Sequence, residues 1–215
     1  MRTILIMSAV ILLVVLATGI SRTRLSVNNL EHDAPRRLSL HSVPPADYTR
    51  LNSKFSRHVP ENLKTTLLPD DRSAVLIFLK ADCECSNNFA RLFNALEQHL
   101  RQAAFCLAVV EGTDQEAKDF VANNGLKAPF LAQERSDLAA LWGISKAGAV
   151  ALVRPNLEVE VIWPGMSRQD FRDLTRRLGN PNLIPQDILS ALPGASTAGC
   201  PLDPASVSIS QGVDR

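Results

Sequence analysis

The stretch Asp82-Cys83-Glu84-Cys85-Ser86 places two thiols where an apolar strand gives way to an amphipathic helix. Unpaired N–H groups and the positive dipole end of a helix start both favour thiolate over thiol. A thiolate held there can attack a disulfide or bind a soft metal ion. Asp82 and Glu84 work the other way, because neighbouring carboxylates raise a thiol's pKa, and Lys80 offsets them if its ammonium reaches the sulfur. Two helical steps turn side chains apart by about 200°, so a Cys83–Cys85 bridge requires Cys83 to sit in the loop ahead of the helix. The small ring would be strained and easily reduced. Two cysteines remain. Cys106 lies inside an apolar strand and reads as core, whereas Cys200 falls in a Gly/Pro-rich stretch with three readings open. It is a free thiol, an intermolecular link, or a distant resolving cysteine that swings back to Cys83. The spacing of the four cysteines matches no paired zinc pattern, so no metal and no cofactor is expected. The thiolates of Cys83 and Cys85 would by themselves suit two-coordinate Cu(I).

The elements that must position these thiols are legible from residue 61 onward. The continuous apolar run at 74–79 predicts a fully buried strand, and Phe89, Leu92, Phe93, Leu96 and Leu100 mark the inner face of the helix that follows. A second buried strand is predicted at 105–110. Thr113 and Glu116 form a capping box for a helix that ends at Gly125. An extended piece around Pro129, a short helix capped by Ser136, a hairpin of strands at 149–153 and 158–163, and a helix capped by Ser167 and Asp170 complete the series. Strands separated by helices imply a parallel pair, to which the hairpin adds antiparallel strands. The fold class is therefore α/β, a central mixed sheet flanked by helices.

Around this domain, at 61–180, lie three other segments. Residues 4–20 form an uncharged apolar run of 17 residues, an uncleaved transmembrane anchor or an export signal over 1–21. Residues 22–60 read as a tether. Residues 181–215, rich in Pro, Gly and Ser, read as a tail that is disordered or lies along a surface, with Leu189 and Leu192 in search of a groove. Either reading of the apolar run sets the domain on the periplasmic or extracytoplasmic side of the inner (cytoplasmic) membrane, where disulfides persist. The formal net charge of +1, with 8 Phe, 2 Trp and 1 Tyr and no basic cluster among them, excludes a nucleic-acid surface.

The element order, with a cysteine ending the first long strand, resembles the thioredoxin fold. More closely, it is similar to redoxin-type, membrane-tethered thioredoxin-like proteins, here as an Asp-Cys-x-Cys variant. The likeness is carried by the stretches at 78–83, 125–131, 141–144 and 150–156. It implies a thiol–disulfide oxidoreductase acting on protein thiols or disulfides, with Cys83 exposed as the attacking residue and Cys85 beside it as a second catalytic thiol. Ser86 stands where the family's resolving cysteine belongs. Gly148 stands in the slot of the family's cis-proline, which leaves room for a substrate backbone but loses the preset geometry. Lys80 occupies the position where a peroxiredoxin has Thr or Ser, which speaks against peroxidase activity. A copper-delivery relative would carry a histidine near the last hairpin, and all four histidines precede residue 100. The departures at Ser86 and Gly148 open a second reading, a degenerate binding or assembly subunit of a membrane complex.

Overall fold

A seven-residue strand, β1 (Ala74–Lys80), runs through the middle of the molecule, and every one of its residues except Lys80 is buried. The computed structural model describes residues 56–197 and 199–202. The anchor or signal, the tether up to residue 55 and the chain beyond residue 202 lie outside the described residues. None of the helices among the described residues is long and apolar enough to cross a membrane.

After a short helical turn and α1 (Lys64–Leu67), the order is β1, α2 (Glu84–Leu100), β2 (Phe105–Glu111), α3 (Asp114–Asn124), β3 (Phe130–Gln133), α4 (Asp137–Leu141), β4 (Val150–Val153), β5 (Val159–Trp163), α5 (Arg168–Arg177) and α6 (Gln186–Ala191). The strands form one sheet in the order β3-β2-β1-β4-β5. β1, β2 and β3 are parallel, while β4 runs antiparallel to β1 and to β5. This is a mixed, thioredoxin-like sheet with β1 at its centre, as expected. Pro129 precedes an edge strand, where its missing N–H costs no ladder bond.

Alternation along β1 divides the core. Val75, Ile77 and Leu79 face a layer containing Phe89, Phe93 and Leu96 of α2, Phe120 of α3 and Phe171 of α5. Leu76 and Phe78 face the opposite layer, which holds Leu67, Leu138 and Trp142. A central strand buried on both faces must be apolar throughout, which is why the sequence shows a run rather than alternation.

The capping box at Thr113 and Glu116 forms in full, and Gly125 ends α3 with φ at 56°. Ser136 does not cap α4. It adopts a left-handed φ of 49°, and its hydroxyl donates to the Glu111 carboxylate, while the Leu138 N–H is taken by Gln133 Oε1. The stretch at 181–202 is not a loose tail. Leu189 and Leu192 are buried in the α2 layer, and Arg168 donates to the carbonyls of Leu189 and Ser190.

The hairpin is fastened to α5 by charge. Glu160 of β5 accepts from Arg154 and Arg177, and Arg177 also donates to Asp173 at 2.8 Å. Burial works to raise the Glu160 carboxyl, but hydrogen bonds from the two guanidinium groups overcome it and hold the group below the usual carboxylate range. A lowered folded-state pKa adds stability that is present above the unfolded value and lost as pH falls through the folded one. In urea unfolding, Glu160→Gln should therefore be less stable than the parent at pH 7, and the gap should narrow as pH falls below the usual carboxylate range. A gap independent of pH would contradict this account.

Candidate functional site

β1 hands over to α2 through a tight turn in which Cys83 N–H donates to the Lys80 carbonyl and Ser86 N–H donates to the Cys83 carbonyl. Cys83 is the N-cap of α2, extended at φ −112° and ψ 118°, and makes no side-chain cap bond. Its sulfur is thus left for other chemistry at a helix start. Ser86, fully buried, accepts the Lys80 backbone N–H at 2.9 Å. The serine in the resolving position is a fastener between strand and helix.

Cys83 does sit ahead of the helix, the condition for a Cys83–Cys85 bridge, yet its bonded partner is Cys200. The two residues are 117 apart in sequence with Cα atoms 6.5 Å apart. Cys85, in the first turn of α2, is a partly exposed free thiol. The sulfurs of Cys83, Cys85 and Cys200 all lie within 4.8 Å of one another. Cys83, expected to be exposed, is only 4% exposed in this bonded state. Cys106 is buried as predicted, and burial foremost, helped by the Glu97 carboxylate, pushes its thiol up to about 12.

Cys200 arrives on an extended segment. Ala147 N–H donates to the Cys200 carbonyl at 2.9 Å, Gly199 N–H donates to the Ala147 carbonyl at 2.7 Å, and Leu202 N–H donates to the Ser145 carbonyl at 3.0 Å. Gly148 follows directly, with φ at +86°. A Cβ there would meet the Phe89 ring at 2.5 Å, so glycine is required both by the backbone and by the packing. The slot expected at Gly148 is thus next to the segment that holds Cys200.

Lys80 has its ammonium 2.7 Å from Glu111, which also accepts from Ser136, so its charge is directed to this buried carboxylate. The expected role of Lys80 as a counter-charge for the sulfur gives way to that ion pair. Beside the junction opens a cleft of about 460 Å³ whose walls include Asp82, Glu116, Asp119 and Glu134. Carboxylates so grouped favour basic partner segments. The sequence leaves the partner of Cys200 open among three readings. The signal was the Gly199-Cys200-Pro201 order downstream of the apolar pair Leu189 and Leu192.

No protein-family model matches the sequence, and no curated relative matches it. Solved structures share part of its course. A secreted Mycobacterium tuberculosis disulfide oxidoreductase homologous to E. coli DsbE is 20% identical, with 54% of this chain and 84% of that one covered and a TM-score of 0.40. The MTB protein dsbF, in mixed oxidized and reduced forms, is 25% identical over 56% of this chain and 85% of its own, at 0.44. StoA from Bacillus subtilis is 17% identical over 49% and 83%, at 0.42. Sheet order and junction together define the class as a thioredoxin-like domain, and the chemistry of its site rests on this chain's own sulfurs.

Under non-reducing conditions, peptide mapping should recover a cross-linked Cys83–Cys200 pair, and iodoacetamide at pH 8 should label Cys85 alone. Cys106 should react only after denaturation, because a thiol titrating near 12 is almost wholly protonated at that pH. Native labelling of Cys106, or a Cys83–Cys85 cross-link, would contradict the site as described.

Proposed function

We propose that this chain is a thiol–disulfide oxidoreductase in which Cys83 attacks and Cys200 resolves. The supporting observation is the Cys83–Cys200 bond, made at a helix N-terminus with a third thiol, Cys85, within 4.8 Å of both sulfurs. In the reductive direction, the Cys83 thiolate attacks a partner disulfide, giving a mixed disulfide and releasing one partner thiolate. The Cys200 thiolate then attacks Cys83 Sγ, the second partner sulfur leaves as thiolate, and the Cys83–Cys200 bond results. Two electrons have passed to the partner and none is left over. Release, which the sequence reading gives first to Cys85, is in this proposal the role of Cys200. Cys85 retains a route by redox-neutral exchange with either bonded sulfur.

The burial of Cys83 favours the competing reading, a binding or assembly subunit of a membrane complex. Trapping separates the two. Cys200→Ser should accumulate dithiothreitol-sensitive partner adducts on Cys83, while Cys83→Ser should form none and lose insulin-reductase turnover by roughly 100-fold or more. Equal turnover in Cys83→Ser would leave only the scaffold reading.

The same proposal sets the domain outside the cytoplasm, held at the inner membrane by residues 4–20, whose 17 apolar residues sit at the short end of a bilayer span. A Cys83–Cys200 disulfide suits that oxidising compartment. The full chain should stay in the membrane pellet after alkaline carbonate extraction and be degraded by protease added to spheroplasts. Recovery in the soluble fraction would remove the anchor, and resistance to protease would remove the outward orientation.

A further inference from the structure

Three sulfurs meet at the start of α2, and exchange through an attacking and a resolving thiol uses only two of them. Cys83 is buried, Cys85 and Cys200 are half-buried, and all three sulfurs lie within 4.8 Å of one another. Among the described residues no histidine nitrogen and no carboxylate oxygen joins the group. Asp82 and Glu84, its neighbours in sequence, are exposed. A metal–thiolate bond of about 2.3 Å, the value at zinc, puts the sulfurs of a trigonal set about 4.0 Å apart. The triangle therefore has the size of a ligand set once the Cys83–Cys200 bond is open. Its backbone is held from both sides. Cys83 N–H donates to the Lys80 carbonyl, and the Cys200 carbonyl accepts from Ala147 N–H, with Lys146 and Pro201 in an antiparallel bridge beside it. The Phe89 ring, which a Cβ on Gly199 would meet at 2.9 Å, adds an apolar wall.

We propose that the reduced protein binds one Cu(I) ion on the thiolates of Cys83, Cys85 and Cys200. The donor set selects the ion. Three thiolates with no nitrogen or oxygen ligand suit a soft monovalent cation that is satisfied by three ligands, whereas a structural zinc takes four. Three thiolates and one Cu(I) sum to two net negative charges, and the positive end of α2, which begins at Cys83, offsets part of them. The apolar wall limits access of water to the ion. Loading is chemically balanced. A dithiol reductant gives two electrons to the Cys83–Cys200 bond and becomes a disulfide, and the three thiols then release three protons to solvent as the ion binds. Unloading runs the other way. A partner disulfide takes two electrons from the Cys83 and Cys200 thiolates and two protons from solvent, leaving as a dithiol. Two of the three ligands become one disulfide, Cys85 regains its proton, and copper departs as Cu(I) with its valence unchanged. The metal site and the disulfide thus exclude each other, and the redox state of the Cys83–Cys200 pair decides which is present.

The site requires only that the Cys83–Cys200 bond be reducible, not that Cys83 attack a partner protein, so its test reads metal rather than turnover. The full chain is reduced with a phosphine, desalted without oxygen, and titrated with Cu(I) in competition with bathocuproine disulfonate. One ion should bind per chain, and X-ray absorption should count three sulfur ligands. Loss of an outer-shell partner already costs a metal site about 10–100-fold in affinity. Cys85→Ser and Cys200→Ser should therefore each weaken binding by about ten-fold or more, with the sulfur count falling to two. Circular dichroism checks that both variants fold. The oxidised parent decides without any substitution, since with the Cys83–Cys200 bond closed it should also bind about ten-fold or more weakly. Excess Zn(II) should leave the copper in place. Two sulfurs on copper in the reduced parent, parent-like affinity in folded Cys200→Ser, undiminished binding after oxidation, or displacement by Zn(II) would overturn the site while leaving thiol exchange by Cys83 standing.

Discussion

The ring of Phe89 sets how closely three pieces of chain can approach one another. It projects from α2 into the core, and the backbone at 148 comes so near that a Cβ would overlap it. The incoming strand lies against the same ring edge at Gly199. Two glycines distant in sequence thus share one contact. Because protein interiors are packed at crystal-like density, a single methyl on either side must displace the ring or the strand. The ring's helix also begins at Cys83, so the packing that positions Phe89 also fixes the distance at which Cys200 can meet its partner sulfur.

Polar fastening at the strand end complements that packing. The buried Ser86 hydroxyl takes the Lys80 N–H, and the Ala81 N–H is taken by the Glu111 carbonyl. The side chains of Lys80, Glu111 and Ser136 join the ends of β1 and β2 to the start of α4. Buried polar groups satisfied in this way hold a unique arrangement, since any shift leaves one of them unpaired. The sulfurs accordingly stand on a rigid base, and the strand at 199–202 docks against it.

Much of the layer order was legible because it rests on apolar period. Six buried residues in succession at the start of β1, the face of α2 and the Thr113 box each state a local rule that the tertiary structure keeps. Leu92 is the exception on that helix face, half-buried where Ala90 is fully buried. Ser136 departs from the expected cap because a hydroxyl ahead of a helix looks the same in sequence whether or not a carboxylate such as Glu111 lies within its reach in space. The Cys83–Cys200 bond was harder still. Only the flanking Gly199 and Pro201 mark locally a cysteine that crosses 117 residues to its partner, and the bonds that steer it are backbone groups of Ala147, which carry no sequence signature. Gly148, by contrast, was identifiable by its position relative to Gly143 and Ile144.

Pro201 has an effect on the side of the docked strand facing away from the molecule. An added strand ordinarily presents a fresh row of donors and acceptors, an invitation to further copies of the chain. With a ring nitrogen where an amide would face outward, that row is interrupted beside the bridge to Lys146. Lateral pairing of oxidised molecules through this segment is thereby discouraged.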